Sequence, residues 1–333
     1  MIELLELIIF TVCIALIFDF WNGVNDAANS ISTVIATRVL PPMVAVAWAA
    51  WWNFAAAFGF GVSVANTIGK GIVSTTIIDE PLILSALIGA IILVAGASYL
   101  GLPISASHSL IGGLIGAAIA KAGYSVLIYS GVIKVLAFIV LAPLIGMVVG
   151  FAVMTLVTRI SMRYKVKRNS IIFRRLQLVS AAAYSLGHGT NDAQKTMGII
   201  AILLFSAGYL GDTFYVPFWV IMAAHLAIGL GTLVGGRRVI KTLGMRVTKL
   251  KPIGGFSAET AGAVTLIGTA LGGIPASTTH TITGSIIGVG ATKRLSSVRW
   301  GVARRITWAW VLTIPLSSTI AGLSYLAIKL IFL

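Results

Sequence analysis

A chain of 333 residues that is 58% hydrophobic and only 10% charged, with a mean hydropathy of +1.01, carries too little charge to cover a soluble globule of its size. Its net charge of +15 does not point to nucleic acid, because 18 of the 24 basic residues fall in three short acid-free segments: seven at 159–175, six at 237–251 and five at 293–305. Such clustering is the positive-inside signature of cytoplasmic loops, so nucleic-acid partners are excluded and a lipid bilayer is the expected surrounding.

The first apolar segment, 4–36, has Glu3 and Glu6 at its start and neither lysine nor arginine ahead of it. No small-residue cleavage site follows, so it reads as an uncleaved first helix and not a signal peptide. Cys13 is the single cysteine, which excludes an intrachain disulfide and a thiolate metal site. Four more apolar segments follow, at 43–67, 82–100, 103–121 and 125–158, and then the basic stretch 159–175. The pattern repeats at 176–208, 214–236, 256–272, 274–292 and 306–332. Each is near or above the roughly 20 residues that a crossing needs, or forms an out-and-back pair with its neighbour. With the basic loops in the cytoplasm, the loops around 70–80 and 121–124 lie outside. Five segments per half is an odd number, so the second half starts on the opposite side from the first. The expectation is an all-α integral membrane protein with two inverted-topology repeats: a first repeat at 1–158, a basic cytoplasmic connector at 159–175 and a second repeat at 176–333.

Each half also repeats a polar message. Trp21-Asn22-Gly23-Val24-Asn25-Asp26-Ala27 returns as Gly187-His188-Gly189-Thr190-Asn191-Asp192-Ala193, and Gly101-Leu102-Pro103-Ile104-Ser105-Ala106-Ser107-His108 returns as Gly273-Ile274-Pro275-Ala276-Ser277-Thr278-Thr279-His280. Asn and Gly clustered well inside segments 4–36 and 176–208 predict helix breaks there, freeing backbone groups that only protein, water or ions can satisfy at depth. Pro103 and Pro275 predict helix starts, which would set Ser105, Ser107, Ser277, Thr278 and Thr279 at N-termini suited to an oxyanion. Simple helix capping or small-residue packing is the alternative for either copy alone. Gly112 with Gly116, and Gly284 with Gly288, have the spacing of close helix contacts.

Intramembrane acids are costly and usually functional. Asp19, Asp26, Asp192 and Glu259 are the candidates, with Asp26 and Asp192 as the symmetric pair and Lys134 and Lys195 as internal bases. An anion site lined by carboxylates makes sense only if a cation is bound too or a proton is shared. Na⁺ suits Asn22, Asn25, Asp26, Asn191 and Asp192, because hard cations take oxygen ligands. Lys195 stands where the first repeat has Asn29, and either contacts the anion or pairs with an acid. His108 and His280 either reach an anion or proton path or pack with a satisfied ring nitrogen; His225 reads as structural.

These residues carry a resemblance. Asn22 to Ser30, Gly187 to Ile199, Gly255-Phe256-Ser257-Ala258-Glu259 and Pro275 to His280 resemble the signatures of the inorganic phosphate transporter family, often called Pit permeases, over essentially the whole chain. What the resemblance implies is symport of inorganic phosphate with Na⁺ or H⁺ by alternating access, with both Asn-Asp motifs and both Ser-rich hairpins lining the site and no cofactor beyond the coupling ion. The chain departs from the longer animal members in having only a short basic connector between halves. Phosphate near neutral pH keeps an O–H that can donate to a carboxylate, whereas sulfate has none, so intact Asn-Asp motifs favour phosphate over sulfate. An anion channel and an intramembrane phosphatase are the readings from other classes; His188 against Asn22, or Lys195 against Asn29, supplies the asymmetry that the enzyme would need. Short loops point to a prokaryotic inner membrane, and the large apolar faces are compatible with a homo-oligomer.

Overall fold

The computed structural model describes residues 2–59, 61–167 and 170–332. Arg168, one of the basic residues of the expected connector, lies outside them. Twelve α-helices are present among the described residues. The first half holds α1 (Ile2–Ala36), α2 (Pro42–Ala55), α3 (Ser63–Gly71), α4 (Glu80–Leu100), α5 (Ala106–Ala122) and α6 (Tyr129–Arg163). The second holds α7 (Ile171–Ser206), α8 (Phe218–Val234), α9 (Arg237–Arg246), α10 (Pro252–Leu271), α11 (Thr278–Ala291) and α12 (Trp300–Phe332). Lengths repeat in order: α1 and α7 have 35 and 36 residues, α4 and α10 have 21 and 20, α6 and α12 have 35 and 33.

The halves run in opposite senses. Thr37, just after α1, bonds Gln177 of α7, while Asp26 of α1 lies beside His188 of α7, so residue numbers rise along one helix as they fall along the other. Among the described residues α1, α4, α6 and α12 are long and apolar enough to cross a bilayer, and the bent pairs α2–α3 and α8–α9 qualify when each is taken as one span. Helices α5 and α11 have 17 and 14 residues. At 1.5 Å per residue they reach about 26 and 21 Å, short of the roughly 30 Å hydrocarbon core. They therefore serve as returning limbs of hairpins with α4 and α10. At both hairpin turns a glycine sits in the left-handed region, Gly101 at φ 69° and Gly273 at φ 63°, where a side chain would be strained.

Broken helices are present, but not at the Asn-Asp motifs. Both α1 and α7 run through their motifs without interruption, and the bends fall between α2 and α3 and between α8 and α9, the latter by 73°. The glycines expected to break α1 and α7 instead admit a neighbour: a Cβ on Gly23 would stand 3.0 Å from the Thr232 nitrogen and 3.1 Å from Gly231 Cα, and one on Gly189 would stand 2.9 Å from Asn53 Cα. The propensity cost of about 1 kcal/mol per helical glycine is outweighed by packing. The basic segment 237–251, expected as loop, contains α9, whose Val239, Ile240 and Leu243 are buried while Arg237, Arg238 and Lys241 stay exposed. Likewise α6 runs to Arg163 and α7 begins at Ile171, so helix extends into both ends of the basic segment 159–175.

The repeats are interlocked. Hairpin helix α5 packs on α12 of the other half, and α11 packs on α6. Each contact is made by the paired glycines noted in the sequence. A Cβ on Gly116 would collide with the Ser318 carbonyl, and one on Gly288 with the Met147 carbonyl. The contacts lie beside Pro143 of α6 and Pro315 of α12, both inside their helices. Two apolar clusters form the core, one around Phe18, Leu87, Leu110 and Ile200, the other around Ile31, Tyr184, Leu243 and Ile282. The polar middle of α1 and α7 lies between them. Gly288→Ala is expected to cost about 1–3 kcal/mol through overpacking, seen as a lower Tm of the purified protein. Gly268→Ala, where a Cβ meets nothing within 4 Å, should leave Tm unchanged or slightly higher.

Candidate functional site

The two hairpin turns deliver two helix starts to the middle of the molecule. Ser105 accepts from the His108 amide at 3.2 Å and Ser277 from the His280 amide at 3.3 Å, so both serines are N-caps. For these two positions the capping reading describes the geometry. The hydroxyls that follow them, Ser107, Thr278 and Thr279, turn to the carboxylates of α1 and α7.

All of these groups are buried. Thr278 Oγ1 lies 3.2 Å from Asp26 Oδ2 and 2.9 Å from Asp192 Oδ2, and Thr279 Oγ1 lies 3.2 Å from Asp26 Oδ1 and 3.1 Å from the Ile104 carbonyl. Ser107 donates to Asp192 Oδ1 at 3.4 Å. Lys195 Nζ donates to Asp192 Oδ1 at 2.5 Å, to the Ala276 carbonyl at 2.9 Å and to Ser107. Asn29 donates to the Thr278 and Thr279 hydroxyls at 3.3 and 3.0 Å. The structure thus brings together Asp26, Asp192, Ser107, Thr278, Thr279 and Lys195.

Counting protons exposes an imbalance. Thr278 has one hydroxyl hydrogen and two carboxylates in reach, so at any moment one of them lacks it. Lys195 offsets Asp192, and Asp26 has no lysine or arginine paired with it among the described residues. His188 sharpens the deficit. Thr232 Oγ1 donates its hydrogen to the Ile228 carbonyl and accepts from Asn53 Nδ2 at 3.0 Å. Asn53 therefore presents its Oδ1 to His188 Nδ1 at 3.0 Å, which assigns the hydrogen to Nδ1. The other nitrogen, Nε2, faces Asp192 Oδ2 at 3.2 Å and Asp26 Oδ2 at 3.9 Å. A bare Nε2 between two carboxylates would set acceptor against acceptor, so this cluster calls for one more proton shared among the three groups or for a metal ion. One ligand atom from each of Asp26, His188 and Asp192 lies within 4.8 Å of the others.

Around this centre the motif asparagines face elsewhere with their amides. Asn22 donates to Asp19 at 3.3 Å, Asn25 to Ser98 at 2.8 Å and Asn191 to Thr269 at 3.4 Å. Each leaves a buried Oδ1 without a partner, as does Asn29, and carbonyl oxygens of this kind suit a hard cation. His108 and His280 pack edge to face at 4.8 Å, with His280 stacked on Trp310 at 3.8 Å. His280 Nδ1 also meets the Ile139 carbonyl at 3.3 Å, as packing with a satisfied ring nitrogen requires, whereas both ring nitrogens of His108 are buried without a hydrogen-bond partner among the described residues; His225 bonds its own helix at Ile221. Glu259 forms a second polar cluster, accepting from Thr33 at 2.5 Å, Ser180 at 2.5 Å and Gln177 at 3.0 Å, and so tying α10 to α1 and α7. Asn53 is the participant that motif reading missed, and His188, noted in the sequence only for its asymmetry against Asn22, is the ring that Asn53 orients. The signal available was a lone asparagine inside the apolar run around Trp52, where an unpaired amide would be costly.

Comparison with known proteins bears on this geometry. A model of the phosphate transporter family matches residues 22–172 and 161–321. The chain belongs to the phosphate transporter family. It is 51% identical over 325 residues to a probable low-affinity inorganic phosphate transporter of Rhizobium meliloti (strain 1021), covering 98% of this chain and 97% of the relative. It is 42% identical to a protein of the same description from Bacillus subtilis (strain 168), covering 99% of each. The fold matches a solved structure described as the sodium-dependent phosphate transporter, with a TM-score of 0.89, 24% identity and coverage of 98% of this chain and all of the other. This is a multi-pass integral membrane protein of a transporter family, not an enzyme.

Lys195→Met would leave Asp192 buried beside Asp26 without its cation, and should cost about 3–5 kcal/mol of stability. Adding Asp192→Asn should recover part of that loss, and a double-mutant cycle on thermal unfolding measures the coupling.

Proposed function

We propose that the protein is a secondary symporter that imports inorganic phosphate together with a cation by alternating access. The observation that carries this reading is the charge deficit at Asp26, His188 and Asp192. Two carboxylates against one lysine already leave the site short of a cation, and adding an anion makes the shortage worse. In a low-dielectric interior such a load is prohibitive unless a cation enters with it. Ser107, Thr278, Thr279 and Lys195 supply donors for phosphate oxygens beside the two helix starts, and a phosphate O–H can donate in return to a carboxylate. Sulfate lacks that hydrogen and would meet the carboxylates acceptor to acceptor.

Na⁺ is the preferred coupling ion, held by Asp26 with bare asparagine oxygens on α1 and α7. The name of the structural relative, a sodium-dependent transporter, agrees with that choice. Proton coupling through His188 Nε2 is the second reading, favoured by the ring's place between the two carboxylates. Asp192 is held by Lys195 and supports the anion, which leaves Asp26 to meet the cation.

Closure is assigned to two matched hooks. Thr67 of α3 donates to the Gly273 carbonyl at 2.8 Å, and Thr242 of α9 donates to the Gly101 carbonyl at 3.0 Å. Each short helix after a bend thereby clamps the hairpin turn of the opposite repeat, α3 on the outside and α9 on the cytoplasmic side. With both hooks made, neither side opens; release of one opens one side.

Radiolabelled phosphate uptake into liposomes under imposed Na⁺ or H⁺ gradients tests the coupling. Accumulation driven by Na⁺ and resistant to sulfate is expected, with Asp26→Asn and Asp192→Asn inactive though folded. Uptake that ignores both gradients, or full activity in both variants, would overturn the symport reading. For the hooks, a Cys13→Ser background carrying a reporter cysteine at Leu102 should label faster from the cytoplasmic side when Thr242 is changed to Val. A reporter at Ile274 should label faster from outside when Thr67 is changed to Val.

A further inference from the structure

A crevice of about 520 Å³ opens on the surface where α1, the end of α4 and the bend between α8 and α9 meet. Its walls are Phe20, Trp21, Val24 and Val234, and its mouth carries Arg237 and Arg238. No acidic residue lines it. The Arg238 guanidinium is anchored at one end, donating to the Tyr99 carbonyl at the end of α4, and both arginines are exposed. Trp21 and Tyr99 meet along one wall, their rings 5.9 Å apart and tilted by 53°. The arginines belong to one of the three basic segments, so the mouth lies at the cytoplasmic boundary of the bilayer.

We infer that this crevice is a binding site for one anionic phospholipid, with an acyl chain along the aromatic wall and the headgroup phosphate at Arg237 and Arg238. The chemistry is divided along the length of the crevice as it is along a lipid: apolar and aromatic within, doubly cationic at the headgroup level. A groove of similar size between α7 and α10, about 570 Å³, is lined by Phe256, Val264, Ile267 and Leu271 and has no charged residue. It offers room for a chain and nothing for a headgroup, which marks the first crevice as the selective one. Arginine suits the task because its planar fork engages phosphate oxygens in pairs. The inner wall includes Ser98, whose hydroxyl accepts from the Asn25 amide at 2.8 Å. The assignment is independent of which cation drives transport.

Native mass spectrometry of the purified transporter, loaded with equal phosphatidylglycerol and phosphatidylcholine, tests it. One phosphatidylglycerol should be retained in preference to phosphatidylcholine. Each arginine should contribute about fivefold, so Arg237→Gln with Arg238→Gln should lower retention by roughly 25-fold, while Arg294→Gln, in another basic segment, should not lower it. Val234→Trp keeps both arginines and fills the apolar part, and should also displace the lipid. Equal retention of the two lipids, retention unchanged in the double variant or in Val234→Trp, or displacement of phosphatidylglycerol by excess inorganic phosphate would each overturn the proposal.

Discussion

Asp26 and Asp192 sit within reach of one threonine hydroxyl, in a layer of the molecule sealed above and below by apolar side chains, and only one of them has a lysine. Burying such a pair is unfavourable by several kcal/mol per ion unless each oxygen finds a donor or a cation. Much of the surrounding structure can be understood as meeting that demand. The hairpin turns bring helix starts and hydroxyls to the carboxylates, Lys195 reaches Asp192 from the next turn of α7, and Asn29 orients the threonines from behind. The remaining deficit is one positive charge, and the symport proposed above would make use of it.

The duplication supplies the scaffold and departures from it supply the direction. Asn22 of the first repeat is matched by His188, and Asn29 by Lys195, so the second repeat holds both basic groups of the centre. A strictly symmetric site would have two equivalent carboxylates competing for the same ligands. Placing the lysine on one side makes the two carboxylates unequal, and the proposed division of tasks rests on that: a neutralised carboxylate tolerates an anion nearby while the other attracts a cation.

Interlocking of the halves constrains how such a molecule moves. Since α5 is packed on α12 and α11 on α6 through glycine contacts without slack, each hairpin is tied to the last helix of the opposite repeat. The elbows between α2 and α3 and between α8 and α9 are where the chain bends, and each carries its threonine hook beyond the bend. In the proposed cycle, small changes at these hooks alter access while the packed glycine contacts persist.

The all-helical membrane class, the inverted duplication and the identity of the central carboxylates were legible in the sequence. Composition, charge clustering and repeated motifs depend only on local chemistry and the cost of polar groups in lipid. Hydroxyl roles were legible only in part, since Ser105 and Ser277 look like Ser107 along the chain, and one residue of helix register separates a cap from a group facing the centre. The expected helix breaks went the other way because a glycine in α1 or α7 has two uses, to bend a backbone or to admit a neighbour. Which one applies depends on Gly231 and Asn53, far along the chain. Tertiary structure alone joined Thr232, Asn53 and His188 into a relay of hydrogen bonds that assigns the ring hydrogen and turns Nε2 toward the carboxylates. That relay spans α8, α2 and α7, and no local pattern encodes a contact between three helices.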